Sequence, residues 1–321
     1  VSIFLPFERS LAELESQIAD LRAKAQATEG LEIEDEVRLL EERIRERLRQ
    51  IYRNLTPWQR CLIARHPDRP HAAAFAEELL EEFLPLAGDR AFGEDFAVIG
   101  GPARFRGRSV MFLGQEKGGD TESRLMRNFG MARPEGYRKA IRLMALAERF
   151  RLPLVTVIDT PGAYPGRGAE ERGQAEAIAR AVDMSLGLGV PSVAVILGEG
   201  GSGGAVALAS ASRVIMLEHA VYSVISPEGC ASILWRDAER AEAAAAALRL
   251  TAGDLLKLNV VDRIVDEPEG GAHREPREAL AAVGNVLEQE LDSLIGRKPE
   301  ELRRLRSDKF LAMGTAAAPR F

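Results

Sequence analysis

Short apolar runs alternate with segments of helical periodicity through the middle of the chain, and this alternation restricts the fold more than any other feature. Residues 152–158 (LPLVTVI) and 192–197 (SVAVIL) carry no charge, and 213–217 (RVIML) is charged only at its first position. A strand that is apolar on both faces needs cover on both, as in a parallel sheet held between helical layers. Residues 134–150 and 169–186 read as helices between such strands. Upstream, 97–105 and 109–115 read as strands joined by a hairpin at Arg106-Gly107-Arg108. Downstream come a short helix at 204–210, a strand at 222–225, a helix opened by Ser226-Pro227-Glu228, a strand at 261–265 and a charged helical tail from residue 276.

The first 55 residues follow another pattern. Leu11, Leu14, Ile18 and Leu21 recur at helical spacing, as do Val37, Leu40, Ile44, Leu48 and Ile51, so two amphipathic helices are expected, broken at Thr28-Glu29-Gly30. The hairpin serves either to dock a partner or to bracket the N-terminus. Thr56-Pro57 is a helix start, and His66-Pro67-Asp68-Arg69-Pro70 is a turn in which His66, with His71 after it, reads as a surface or capping residue. The alanine-rich stretch 239–248 reads as a solvated helix. The expected division is a helical hairpin at 1–55, a main domain at 56–296 and a helical tail at 297–321.

Composition removes several classes of function. The 321 residues hold 43 Lys and Arg against 49 Asp and Glu, and the net charge of −6 argues against a nucleic-acid surface. Cys61 and Cys230 have no C-x-x-C or histidine spacing around them, which argues against structural zinc and a disulfide framework. No apolar stretch approaches the ~20 residues of a membrane span, and VSIFLPFERS lacks the pattern of a signal peptide. A cytoplasmic protein with no membrane contact is expected.

The chemistry concentrates after residue 197. Gly198-Glu199-Gly200-Gly201-Ser202-Gly203 reads as G-x-G-x-x-G, and Gly200-Gly201-Ser202-Gly203-Gly204 as G-x-S-x-G. A dinucleotide site needs a long following helix, but only about eight residues precede the next strand, roughly two turns. A serine nucleophile needs a histidine base, and His219, the only one nearby in sequence, is preceded directly by the acid Glu218. What remains is the backbone itself: either the glycines bare main-chain N–H groups at a helix start, where two of them aimed at one point form an oxyanion hole, or they pack a tight turn for steric reasons alone. The loop Asp159-Thr160-Pro161-Gly162-Ala163-Tyr164-Pro165-Gly166 and the turn Ser226-Pro227-Glu228-Gly229 also follow strands, so three small-residue loops converge on one composite pocket.

The runs RAFGEDFAVIGGPARFRG, RNFGMARPEGYRKAIRLMALAE, IDTPGAYPGRGAEERGQAEAIAR, LGEGGSGGAVALA and YSVISPEGCASILW closely resemble the carboxyltransferase alpha subunits of bacterial acetyl-coenzyme A carboxylases. NLTPWQRCLIARHPDRP and the helical N-terminus extend the resemblance over nearly the whole chain. Arg167, Gly119 and Ala132 depart from the usual pattern, which puts loop stiffness and phosphate contacts in question but leaves the glycine turns intact.

The resemblance implies an α/β, crotonase-like (ClpP/crotonase) fold with an N-terminal helical hairpin, and transfer of a carboxyl group from carboxybiotin to acetyl-CoA, giving malonyl-CoA for fatty acid synthesis. It implies no covalently bound cofactor, since carboxybiotin and the coenzyme A thioester arrive as substrates. The implied partners are a zinc-ribbon beta subunit carrying the other half of the site, in an alpha2beta2 heterotetramer, with biotin carboxyl carrier protein and biotin carboxylase. Carried over by position, the amides of Gly203, Gly204 and Ala205 would polarise biotin's urea carbonyl, inside a biotin/acyl-CoA pocket. That pocket takes Gly162, Ala163, Tyr164 and Gly166 from one loop, Gly200, Gly201 and Ser202 from the second, and Ser226, Glu228 and Gly229 from the third. Lys117, Arg124, Arg127, Arg133, Arg138 and Lys139 offer an anchor for coenzyme A phosphates, or a solvated face, or a subunit contact. Two other functions compete: a crotonase-like hydratase or isomerase acting alone, with Asp159, Glu199 and Glu228 as its acid–base groups, and a scaffold without catalysis.

Overall fold

The N-terminal periodicity forms α1 (Arg9–Ala27) and α2 (Glu34–Tyr52), with Ile18, Val37 and Leu40 packed between them. The computed structural model of the chain describes residues 3–27 and 33–314, so the break expected at Thr28-Glu29-Gly30 lies outside the described residues. Leu11, Leu48 and Tyr52 join Ile63 of α3 (Pro57–Ala64) in a second cluster. Glu8, fully buried, accepts hydrogen bonds from the Tyr52 hydroxyl at 2.9 Å and the Arg274 guanidinium at 3.2 Å. The hairpin is thereby clamped to the body, as a bracket would be. Thr56 caps α3 with Gln59 in a reciprocal capping box, and Pro57 opens its first turn.

After α4 (Ala72–Leu79), β1 (Val98–Phe105) and β2 (Arg108–Gln115) form an antiparallel hairpin. Its two turn residues, Arg106 and Gly107, have φ of 47° and 77°, the left-handed pair that matches the twist of a tight hairpin. The chain continues through α5 (Thr121–Met126), α6 (Pro134–Phe150), β3 (Leu154–Thr160), α7 (Arg167–Glu171), α8 (Gln174–Gly187) and β4 (Ser192–Gly201). Then come α9 (Ser202–Ala209), β5 (Arg213–Leu217), β6 (Val221–Ser223), α10 (Pro227–Trp235), α11 (Ala241–Leu248), α12 (Ala252–Lys257), β7 (Arg263–Val265), α13 (Pro276–Leu294) and α14 (Pro299–Ala312). The sheet runs β1-β2-β3-β4-β5-β7, with β6 paired to the far end of β4, and every pairing except β1/β2 is parallel.

Alternate residues of β2 show why its centre, residues 110–114, is apolar on both faces. Phe112 stacks on Phe75 of α4 with ring centroids 5.6 Å apart, and Gly114 lies against Ala72 on the same face. Leu113 points the other way, where it and Leu143 of α6 close around Gly100. Helices thus cover both faces, as the strand composition requires.

Three expectations need correction. The helix expected at 169–186 is two helices, because Gly173 takes φ +79° and turns the chain between α7 and α8. The alanine-rich segment is not simply solvated: Ala244 and Ala245 of α11 are fully buried, and the small side chains let α11 sit close to α3 and α10. His66 is buried rather than superficial, stacked on His273 at 4.1 Å with Nε2 3.0 Å from the Ile3 carbonyl. At the other end of the chain, α14 brings Arg306 fully into the interior. Its guanidinium donates to the carbonyls of Leu186 (2.9 Å) and Leu188 (2.8 Å) and to the hydroxyls of Ser192 (3.1 Å) and Ser212 (2.9 Å), which anchors the starts of β4 and β5.

Candidate functional site

β4 runs four residues further than its apolar core, to Gly201, and α9 begins at once with Ser202. No side chain caps α9. In its first turn the N–H groups of Gly203 and Gly204 have no intrahelical partner, so they and the positive end of the helix dipole are available to a ligand oxygen. Ser202 itself has φ +54°, a strained value for a residue with a side chain.

Two glycines are required where they stand. A Cβ on Gly201 would fall 2.1 Å from the Pro161 carbonyl oxygen, and one on Gly204 would fall 2.7 Å from both the Ala163 nitrogen and the Gly162 carbonyl carbon. The loop after β3 therefore lies directly on the glycine turn. Thr160 braces that loop by donating to the Gly162 carbonyl at 2.7 Å and accepting from the Gly162 N–H at 3.1 Å. Tyr164 sits against Gly166, with the Arg133 guanidinium 4.6 Å from its ring centroid, while Gln174 donates to its carbonyl at 2.9 Å. A Cβ on Gly203 would meet only Ile178, at an ordinary 3.6 Å, and Ala205 is fully buried behind the turn.

The third loop follows β6, whose Ser223 is the register partner of Gly201. Ser226 caps α10 by accepting the Gly229 N–H at 3.1 Å. Glu228 accepts from Arg65 at 2.6 Å, and Arg65 also reaches Glu199 of β4 at 2.7 Å. The first two loops thus touch directly, and the third is tied to them through Arg65. An apolar groove of about 470 Å³ opens beside the turn between Ser202, Gly203, Val206, Tyr222, Val224 and Leu255. A smaller pocket of about 180 Å³ lies on the Pro161 side, where Arg65, His71, Lys117, Arg124 and Glu199 meet.

The charged groups here form one chain of contacts. His71 Nδ1 donates to Asp159 at 2.6 Å, and the Lys117 ammonium lies 2.8 Å from Asp159 and 2.9 Å from Glu199. Burial works against the charged form of Asp159, but the Lys117 charge and the His71 hydrogen bond prevail and hold its carboxyl below the usual range. Glu199 is depressed in the same way, with Lys117 and Arg65 overcoming burial, and Glu228 by its bond to Arg65 against a burial penalty. All three carboxylates are locked in ion pairs, which is the reverse of what a hydratase's general acid needs.

The serine-nucleophile reading loses its base. Among the described residues, His71 is engaged by Asp159, His219 lies 2.7 Å from Arg60, and His66 and His273 stack on each other. The basic set proposed for phosphate binding is also largely committed. Lys117, Arg138 and Lys139 pair with carboxylates, Arg124 donates to the carbonyls of Gly118 and Pro67, Arg127 to that of Phe96, and Arg133 to the Asn128 side chain. Glu171 makes an exposed pair with Arg167 one turn away, a helix-surface role. No metal-holding group of three or more His, Cys, Asp or Glu occurs among the described residues. Sequence reasoning missed His71 and Arg65 as members of this site, because their partners lie 88 and 134 residues away.

A helix-covered sheet whose strand ends carry opposed amide-bearing loops is the crotonase-like architecture, and several solved structures share the fold. The transcarboxylase 12S core superposes with a TM-score of 0.54 at 23% identity, over 66% of this chain and 41% of that one. The Pseudomonas malonate decarboxylase hetero-tetramer gives 0.54 at 20% over 67% and 87%, and the P. aeruginosa geranyl-CoA carboxylase beta subunit 0.54 at 17% over 76% and 47%. The family profile described as acetyl co-enzyme A carboxylase carboxyltransferase-like matches residues 4–314, and the chain belongs to that family. It is 59% identical to the acetyl-coenzyme A carboxylase carboxyl transferase subunit alpha of Paracoccus denitrificans over 98% of this chain and 99% of that one. Against the protein of the same name from Xanthobacter autotrophicus it is 59% identical over 97% and 98%.

Proposed function

We propose that this chain is the alpha half of a split carboxyltransferase that moves a carboxyl group from carboxybiotin to acetyl-CoA, forming malonyl-CoA in the first committed step of fatty acid synthesis. The observation that carries the reading is the uncapped first turn of α9, pressed by Gly201 and Gly204 against the loop after β3. Amides of Gly203 and Gly204 hydrogen-bond biotin's urea oxygen, stabilising the negative charge that develops there as the carboxyl group leaves, while the buried Ala205, whose N–H is the first to find an acceptor within α9, backs them rather than joining them. The surrounding loops, Gly162, Ala163, Tyr164 and Gly166 with Gly200, Gly201 and Ser202 and with Ser226, Glu228 and Gly229, form this subunit's share of the pocket for biotin and the acyl thioester. Carboxybiotin is delivered by biotin carboxyl carrier protein after charging by biotin carboxylase. A zinc-ribbon beta subunit supplies the opposing wall in an alpha2beta2 assembly acting in the cytoplasm. No helix among the described residues is long and apolar enough to cross a membrane.

The test is malonyl-CoA formation from acetyl-CoA and carboxybiotin by the chain alone and by its mixture with a cognate beta subunit. Activity in the mixture only is expected. Full activity of the chain alone would refute the split site, and hydration of an enoyl thioester by the isolated chain would restore the hydratase reading. Silence in both preparations would return a non-catalytic scaffold to the front.

A further inference from the structure

The hydrogen-bond ladder between β3 and β4 is regular from Leu154/Ser192 to Ile158/Ile196, and resumes only at Thr160/Gly200. One residue of β3, Asp159, therefore stands opposite three of β4, Leu197, Gly198 and Glu199. This irregular segment leads directly into the glycine turn. A bulged backbone that has lost its ladder partners must satisfy its buried N–H and C=O groups elsewhere. Side chains do so here. Asp159 accepts the Glu199 N–H at 2.9 Å, and the buried Arg69 guanidinium donates to the Leu197 carbonyl at 3.2 and 3.0 Å while held by Glu267 at 2.8 Å.

Asp159 and the Glu199 side chain are two buried carboxylates converging on one point, and between them sits Lys117, 2.8 Å from the first and 2.9 Å from the second. The other titratable or charged groups facing this point are His71, which leads into α4, Arg65 at the end of α3, and Arg124 of α5 across the small pocket. Arg65 is shared with Glu228, so Lys117 is the only cation that touches both carboxylates among the described residues.

We propose that Lys117 is a positioning residue of the glycine turn: its ammonium draws the end of β3 and the bulge of β4 together, and so fixes where the first-turn amides of α9 point. It touches no reacting atom in this account. Without it the two carboxylates repel across the bulge, and the turn loses its fixed distance to the loop that faces it. The inference assigns to Lys117 an internal role in place of phosphate binding, and it rests on the proposed carboxyl transfer only for its kinetic arm.

The experiment is Lys117→Met, with Lys117→Arg as the conservative variant, read in two ways. In the chain itself, amide hydrogen exchange of peptides spanning 197–206 should accelerate on the order of tenfold or more, while peptides of the β1–β2 hairpin keep wild-type protection. In the complex with the beta subunit, kcat should fall on the order of ten- to a hundredfold with KM for acetyl-CoA within about twofold, and Lys117→Arg should recover most of both losses. Unchanged exchange at 197–206 overturns the proposal whether or not the complex turns over, and wild-type kcat in a folded Lys117→Met complex overturns it equally. An inactive wild-type complex would instead fault the proposed reaction, leaving the exchange result to decide the role of Lys117. If Lys117→Met does not fold, Lys117→Gln, which fills the site without the charge, is read in the same two ways. Failure of both to fold would make the bridge a requirement of the whole fold and overturn its assignment to the turn.

Discussion

Replacing Gly204 by alanine adds one methyl group at the closest approach between the two amide-bearing loops. The added carbon would stand 2.7 Å from the Ala163 nitrogen and 2.9 Å from the Tyr137 hydroxyl, about 0.8 Å inside an ordinary contact of ~3.5 Å. Retreat of α9 is resisted, because the Gly204 carbonyl accepts from Gln115 at 2.7 Å. Overpacking of this kind costs about 1–3 kcal/mol, and the helix gains about 1 kcal/mol from alanine in place of glycine. The net loss is then about 0–2 kcal/mol, which for a chain of this length lowers Tm by ~3 °C at most. Displacement of the turn by several tenths of an ångström should cost far more in rate, on the order of ten- to a hundredfold in kcat. Calorimetry and malonyl-CoA formation in the complex measure the two effects, with Gly253→Ala in α12, where nothing lies within 4 Å of the new carbon, as the helix-propensity control. A Gly204→Ala complex that is stabilised like the control and turns over at the wild-type rate would refute the claim that this approach sets the site.

Two further outcomes concern the frame. Arg306→Met leaves buried carbonyl and hydroxyl acceptors at the starts of β4 and β5 without their donor, and should cost about 3 kcal/mol or more in urea unfolding; a loss under about 1 kcal/mol would show that α14 is not anchored through this group. Acid should destabilise the fold from about pH 6.5 downward. Burial depresses His219 to about 4 and, with the neighbouring His66, His273 to about 3, while Arg69 holds Glu267 at about 2 against its own burial penalty. Each folded-state value lies below its unfolded one, so the unfolded chain binds more protons as pH falls, first at the histidines and then, below about 4.5, at Glu267. Urea midpoints that stay constant between pH 7.5 and pH 4 would contradict this.

Much of the scaffold is legible because its causes are local. An apolar run flanked by Pro and Gly is a buried strand wherever it packs, Thr56-Pro57-x-Gln59 is a helix start by itself, and the hairpin turn at Arg106-Gly107 follows from backbone conformation alone. The three small-residue loops were readable for the same reason. Gly173 shows the limit: a glycine within helical periodicity is tolerated as often as it breaks the helix, and the turn between α7 and α8 depends on what packs there, including Arg138, whose guanidinium donates to the Arg172 carbonyl.

The sequence by itself determined a helix-covered, mostly parallel sheet, the helical hairpin at its N-terminus, and a glycine turn too short for a dinucleotide helix, because strand burial, capping and glycine geometry act over a few residues. Only the tertiary structure decided that Lys117, Asp159, Glu199, Arg65 and Glu228 meet in one chain of ion pairs. A charge in a sequence carries no mark of its partner, since Coulomb attraction depends on distance and burial and not on order along the chain.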